Sequence, residues 1–173
     1  AVVEDAVLLP GVVVEENAVV KRVIVNNDIK ISKGVVVNKE PEKIALVWCD
    51  DNNSEKILTF GELSKQVNKT ANVLKSLGIK KGDAVMLMLR RRYEFWYMLL
   101  ALHKIGAIAV PATVQLLPSD ITYRIEKANI KMVVALNEEC VISHIEESIY
   151  ELKGKYLDNK KIPQVMLANG EKD

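Results

Sequence analysis

The chain has 173 residues, 49% hydrophobic and 27% charged, with 24 Lys and Arg against 23 Asp and Glu for a net charge of +1. That length holds one ordinary domain and is short for two, and the composition is that of a globular protein rather than a disordered or fibrous one. The near-zero charge gives no field for a polyanion, so no nucleic-acid partner is expected. The longest apolar run, Phe95 to Leu102, is far below the roughly 20 residues that span a bilayer, so no membrane span is expected either.

The chain opens on valines and acids, without the basic patch, apolar stretch and cleavage site of a signal peptide. Cys49 and Cys140 sit in apolar stretches with no second Cys or His at metal-ligand spacing. No metal site is expected, and a reduced cytoplasmic setting is the simplest reading.

Up to Asn38, aliphatic residues recur every six positions at Val2, Leu8, Val14 and Val20. A second series, Val25, Ile31 and Val37, follows a five-residue step. Small or β-branched residues come four places after most of these, at Ala6, Val12, Ala18, Ile29 and Val35. A six-residue period suits a parallel β-helix, whose three sides each turn one aliphatic residue inward and close a coil of about 18 residues. Residues 1–37 then form about two coils; a plain valine-rich β-meander is the alternative. The strings LLPGVVVEENAVV and VIVNNDIKISKGVVV resemble the C-terminal left-handed β-helix of ADP-glucose pyrophosphorylases and related sugar nucleotidyltransferases. In that family the segment is architectural, so the resemblance implies assembly, including self-association, and no catalytic residue.

From Pro41 the period changes. Ile44 to Cys49 and Lys56 to Thr59 read as two strands around the turn Asp50-Asp51-Asn52-Asn53. Phe60, Leu63, Val67, Ala71 and Leu74 then fall at spacings of three and four, an amphipathic helix. Thr59 and Glu62 form a capping-box pattern at its start, and Gly78 stops it. Ala84 to Leu89 is a continuous apolar run, as in a strand covered on both faces. Tyr93 to Ile105 is apolar nearly all round and reads as a helix buried between layers, with Trp96 and Tyr97, like Trp48, at core-like spacings.

Strand Ile108 to Pro111 follows, then helix Ser119 to Asn129 with Pro118 at its first position. Strand Lys131 to Leu136, helix Glu138 to Leu152 and strand Gln164 to Ala168 complete the series. Such alternation implies an α/β fold: a partial parallel sheet with helices on both faces. The expected division is 1–38 for the repeat and 39–173 for the α/β part.

Three blocks, LTFGELSKQVNKTANVLKSLGIKKGDAVMLML, RRRYEFWYMLLALHKIGAIAVPATVQL and DITYRIEKANIKMVV, agree in order and spacing with one family. They resemble the N-terminal subdomain of the AMP-forming acyl-CoA synthetases, nearest to the acetyl and medium-chain type. The resemblance implies ligase chemistry in two steps. A carboxylate attacks the α-phosphate of ATP, and coenzyme A then displaces AMP from the acyl-adenylate. ATP, Mg and coenzyme A are thus implied for the full-length family, with a small carboxylate as substrate.

The phosphate cradle for that chemistry is a Ser/Thr/Gly-rich loop ending in Lys. The eight glycines here include no two within three residues of each other, and the chain stops about where such a loop would follow. It is therefore expected to be inactive alone and to bind no cofactor by itself. The rival expectations are an assembly module and one half of a split ligase.

Gln115 is the one site candidate. In medium-chain members the glutamine at this place in the PATxQ-like turn lies near the coenzyme A channel, which implies a pantetheine contact; an ordinary polar loop residue is the alternative. Arg90, Arg91 and Arg92 end a strand, where α/β sheets place ligands, but read more simply as a solvated strand end facing acidic neighbours. The CoA-nucleotide arginines of acetyl-CoA synthetases come later, near the stretch here from Asn137 to Ser143, which has none. His103 and His144 have no nucleophile pattern beside them and read as structural.

Overall fold

Valine and isoleucine favour extended backbone, and in residues 1–38 they are interrupted by Gly, Asn and Asp, the residues that tolerate tight corners. The computed structural model describes residues 1–173 apart from 5, 22, 26–27, 39–40, 50–54, 157–160 and 169–173. It contains seven short strands in this stretch: β1 (Val2–Glu4), β2 (Val7–Leu8), β3 (Val13–Val14), β4 (Val19–Lys21), β5 (Ile24–Val25), β6 (Lys30–Ile31) and β7 (Val36–Asn38). All pair in parallel, β1 with β4 and β4 with β7, β2 with β5, and β3 with β6.

The register aligns Val3 with Val20, Leu8 with Val25 and Val14 with Ile31. Val3, not Val2, therefore belongs to the inward row. The five-residue step at Val20 to Val25 recurs at Val3 to Leu8, so it is a property of each turn of chain. Corners repeat as well. Gly11 and Asp28 both have positive φ, as do Asn17 and Gly34 one register step apart from each other.

Val20, Val25 and Ile31 are buried, whereas their partners Val3 and Leu8 are exposed. Ion pairs Lys21–Glu4 and Lys30–Glu15, both 2.6 Å, tie adjacent turns at the surface, where solvent screening leaves such pairs little weight.

The chain divides into two compact units, Ala1–Leu46 with Leu58–Glu62, and Val47–Ile57 with Leu63–Asp173. β8 (Ile44–Cys49) and β9 (Glu55–Thr59) pair in a two-stranded sheet. The turn predicted at 50–53 lies outside the described residues. Helix α1 (Phe60–Ser76) starts with the predicted capping box. The Thr59 amide donates to Glu62 Oε2 at 2.9 Å, and the Glu62 amide donates to Thr59 Oγ1 at 3.2 Å. Thr59→Ala orphans one of these amides and should cost about 1 kcal/mol, read as a drop in melting temperature of roughly 2–4 °C.

The larger unit is built on β10 (Ala84–Met88), β11 (Ile108–Pro111), β12 (Ile130–Leu136) and β13 (Gln164–Ala168), connected by α2 (Tyr93–Ile105), α3 (Pro118–Ala128) and α4 (Glu139–Lys155). The sheet is wholly parallel, in the order β11-β10-β12-β13. Side chains alternate between its faces. Val85, Leu87 and Leu89 join Met132, Val134 and Leu136 against Val67, Ala71 and Leu74 of α1 and Met98, Ala101 and Leu102 of α2. Met86 and Met88 join Val133 and Ala135 against Ile121 and Ile125 of α3 and Val141, Ile145 and Leu152 of α4. The parallel sheet covered on both faces is as the alternation implied.

α2 departs from its reading. It buries Met98, Ala101 and Leu102 but leaves Trp96 and Leu100 on its outer side at 47% and 40% exposure. It is a one-sided cover, and Trp96 is not a core residue. Gly106 ends it in the left-handed region, with its amide on the carbonyls of His103 and Leu102. Asn129 ends α3 in the same conformation.

At the amino edge of the sheet Asp83 Oδ2 accepts from the Lys80 amide at 2.6 Å and from Lys131 Nζ at 2.9 Å. Burial alone would raise the Asp83 pKa, but the bonds from Lys131 and Lys80 outweigh it and hold the carboxyl below its ordinary value. A depressed carboxylate stabilises the fold above its unfolded pKa of about 3.9 and ceases to do so as pH falls through the folded value. Denaturant melts should therefore show wild type above Asp83→Asn at neutral pH, with the gap closing below about pH 4.

Candidate functional site

Strand order decides where a ligand could sit. From β10 the chain runs to β11 on one side, and then crosses back to β12 and β13 on the other. In open parallel sheets the loops diverge at such a reversal and leave a crevice beyond the carboxyl ends of the two strands, here β10 and β12.

That crevice is bridged by charge. Arg90, the second residue after β10, has φ of 49°, a left-handed conformation uncommon outside glycine and asparagine. Its Nη2 donates to Glu138 Oε2 at 2.8 Å. Glu138 stands at the start of α4 in extended conformation, without a side-chain cap. Both side chains of the pair are about half to one-third exposed, so it is worth little on its own. Its placement, not its strength, is the notable fact.

Behind Arg90 the loop is held more firmly. Trp48 Nε1 donates to the Arg91 carbonyl at 2.7 Å, and its ring meets Tyr93 edge-on at 5.3 Å between centroids. Arg92 donates through Nε and Nη2 to the two oxygens of Glu94, each at 3.1 Å, with both side chains nearly buried at 12% and 11% exposure. Lys56 Nζ lies 3.9 Å from the centre of the Tyr93 ring. Two of the three arginines thus face acids, as the simpler sequence reading had it, but only Arg90 and Arg91 are solvated, whereas Arg92 is nearly buried.

Gln115 lies on the loop from β11 to α3, at the same carboxyl edge, and is exposed. Its backbone N–H donates to Thr113 Oγ1 at 3.2 Å, closing a local turn. His144 Nδ1 is 3.0 Å from the Leu116 carbonyl on that loop, whereas His103 is exposed on α2. Burial raises the Tyr97 hydroxyl well above its usual pKa, with the Glu94 charge adding to it, so Tyr97 is neutral near pH 7. Among the described residues no cluster of His, Cys, Asp and Glu could hold a metal, and no helix is long and apolar enough to cross a membrane.

Sequence reasoning missed Glu138, Glu94 and Trp48 as partners of the arginine run. The available signal was Glu138 itself, an acid two residues beyond a buried strand.

Comparison with known proteins agrees with both parts of the chain. Residues 35–171 match the family described as AMP-binding enzyme, and residues 1–47 match a GlmU-like, C-terminal hexapeptide family. The chain is 33% identical over 107 residues to mitochondrial acyl-coenzyme A synthetase ACSM5 of Rattus norvegicus, covering 61% of this chain and 18% of the relative. It is 39% identical over 99 residues to acetyl-coenzyme A synthetase 2 of Saccharomyces cerevisiae, covering 57% and 14%. Among solved structures, the acyl-CoA synthetase of Brucella canis superposes with a TM-score of 0.62 at 28% identity, over 77% of this chain and 22% of that one. The chain therefore spans less than a quarter of the length of these relatives.

Proposed function

The chain belongs to the AMP-binding enzyme family, and from that premise we propose that residues 39–173 are the N-terminal subdomain of an AMP-forming acyl-CoA synthetase. In the whole enzyme a carboxylate, ATP with Mg and coenzyme A would give an acyl-CoA, AMP and pyrophosphate. The observation that carries this reading is the family match over 35–171, on a parallel sheet whose order reverses at β10.

The residues present do not fit a triphosphate. No glycine-rich run exists in the sequence, and Arg90 at the switch point is engaged with Glu138. No adenylation step is therefore assigned to this chain, which we expect to be inactive alone. Gln115 is read as a pantetheine contact; what supports this is its exposure on a carboxyl-edge loop. Cys49 and Cys140, both free and exposed, suit a reducing cytoplasm.

Residues 1–38 are read as about two coils of left-handed β-helix, related to that of ADP-glucose pyrophosphorylase and serving assembly, including self-association. The parallel register of β1 to β7 and the hexapeptide match over 1–47 support this.

The test is a covalent chimera in which this chain replaces the matched segment of the Brucella canis enzyme. ATP–pyrophosphate exchange with acetate and with a medium-chain acid should be absent from the chain alone and present in the chimera. Gln115→Ala in the chimera should raise the CoA KM roughly fivefold, the worth of one hydrogen bond, and leave exchange unchanged. A folded chimera without exchange overturns the ligase reading.

A further inference from the structure

In a wholly parallel sheet joined by helices, every strand starts and every helix ends at the same edge. Helices α1 to α4 therefore bring their last turns together at the amino edge of β10, β11, β12 and β13. Each last turn carries lysine: Lys75 in α1, Lys104 in α2, Lys127 in α3, and Lys153 with Lys155 in α4. The half-charge at a helix's carbonyl end accounts for one cation there. Their collection on one surface is a result of topology, and the turns into β10 and the start of β12 add Lys80, Lys81 and Lys131.

Contacts tie these ends into one surface. The Gly82 amide donates to the Gly106 carbonyl at 2.9 Å, joining the turns that follow α1 and α2. Lys131 Nζ donates to the Gly78 carbonyl at 3.1 Å as well as to Asp83, joining β12 to the end of α1. Glu126 Oε1 accepts from Lys155 Nζ at 2.6 Å and from the Tyr156 hydroxyl at 2.8 Å, joining α3 to α4. Asp83 and Glu126, the acids in these contacts, thus each hold a lysine already. Lys75, Lys80, Lys81, Lys104, Lys127 and Lys153 are exposed and make no ion pair among the described residues. Eight lysines therefore face two carboxylates, and four helix ends at about half a charge each offset only about two of the charges left over. The net charge of +1, which gave no reason to expect a polyanion, averages this separation away.

Residue type and breadth decide which anionic partner fits. Lysine is a point charge without the planar fork by which arginine grips a single oxyanion, and these turns contain no arginine. The charge spreads over both helix layers and four strands, roughly 15 Å at the usual strand spacing, which suits an extended surface better than a single peptide. Leu77 and Ile108 stand at the same edge, 39% and 53% exposed. A polar polyanion would leave them in water, whereas the interface of a bilayer takes up apolar side chains flanked by lysine.

We propose that the amino edge of the parallel sheet is a peripheral docking surface for an anionic lipid bilayer, held by the lysines of the helix ends and by Leu77 and Ile108. The crevice beyond β10 and β12 lies at the opposite edge, roughly 20 Å away along β12, so a docked bilayer does not cover it. The surface stands independently of the ligase reading.

The test mixes the full chain with phosphatidylcholine vesicles containing roughly 30% phosphatidylserine, in about 0.1 M salt, and reads binding by cosedimentation. Binding is expected, with at least about a tenfold loss in roughly 0.5 M salt. Lys80→Gln with Lys81→Gln, and separately Lys127→Gln with Lys153→Gln on the other helix layer, should each weaken it at least about tenfold. Lys65→Gln with Arg91→Gln removes the same charge away from this edge and should change it less than about twofold. Leu77→Ser with Ile108→Ser should weaken vesicle binding severalfold and leave binding to polyglutamate unchanged. No binding, equal loss in the Lys65 and Arg91 variant, insensitivity to salt, or tighter binding to polyglutamate or duplex DNA than to the vesicles would each overturn the proposal.

Discussion

Val134→Asp is expected to abolish cooperative folding of the larger unit. Val134 is fully buried at the centre of β12, opposite Leu87 of β10 and Met166 of β13, in the layer closed by α1 and α2. A carboxylate placed there must protonate or admit water, and either way burial of an unpaired polar group costs several kcal/mol. Domain stability is only about 5–15 kcal/mol, so the loss takes most of what holds the unit together. The contrast is Val165→Asp, one strand away on the other face and 40% exposed, which should cost about 1 kcal/mol through strand propensity alone. Circular dichroism melts read both. Similar behaviour of the two variants would mean that β12 is not the centre of this core.

That contrast also marks where sequence reading succeeds and where it stops. The strands β10, β12 and β13 and the helices between them are legible because apolar run length, Pro118, Gly78 and the Thr59–Glu62 pair are local signals, and local hydrogen bonds answer them. Both faces of β10 read as buried because its apolar run leaves no polar side.

The same logic failed for α2. A helix apolar nearly all round looks interior, but whether Trp96 and Leu100 meet protein depends on what else is packed there, which periodicity does not carry. In the repeat, a valine precedes the inward positions Val3, Val14 and Val20, so Val2 and Val3 cannot be told apart until pairing with Val20 fixes the register. The crevice was the least legible feature. Arg90 and Glu138 are 48 positions apart and meet only because β12 pairs with β10 rather than with β11, its predecessor in the chain.

Glu94→Ala is the second large effect expected, and it tests whether the loop behind that crevice is held by charge or by shape. The two 3.1 Å bonds from Arg92 form a fork in which both side chains are nearly out of water. Their setting is largely aromatic, with the guanidinium carbon 5.8 Å from the Trp48 ring and 5.7 Å from that of Tyr93. Removing the carboxylate takes two charge-assisted hydrogen bonds from a largely desolvated guanidinium and should cost about 2 kcal/mol, a fall in melting temperature of roughly 4–8 °C. Replacing both partners by leucine removes the charge along with its counter-charge and should recover most of that loss, because a buried ion pair seldom outperforms good apolar packing. The recovered variant still has Trp48 on the Arg91 carbonyl, so Arg90 should keep its place opposite Glu138. If the double variant is as unstable as Glu94→Ala, packing around the arginine stem is what orders the loop, and the ion pair is incidental to it.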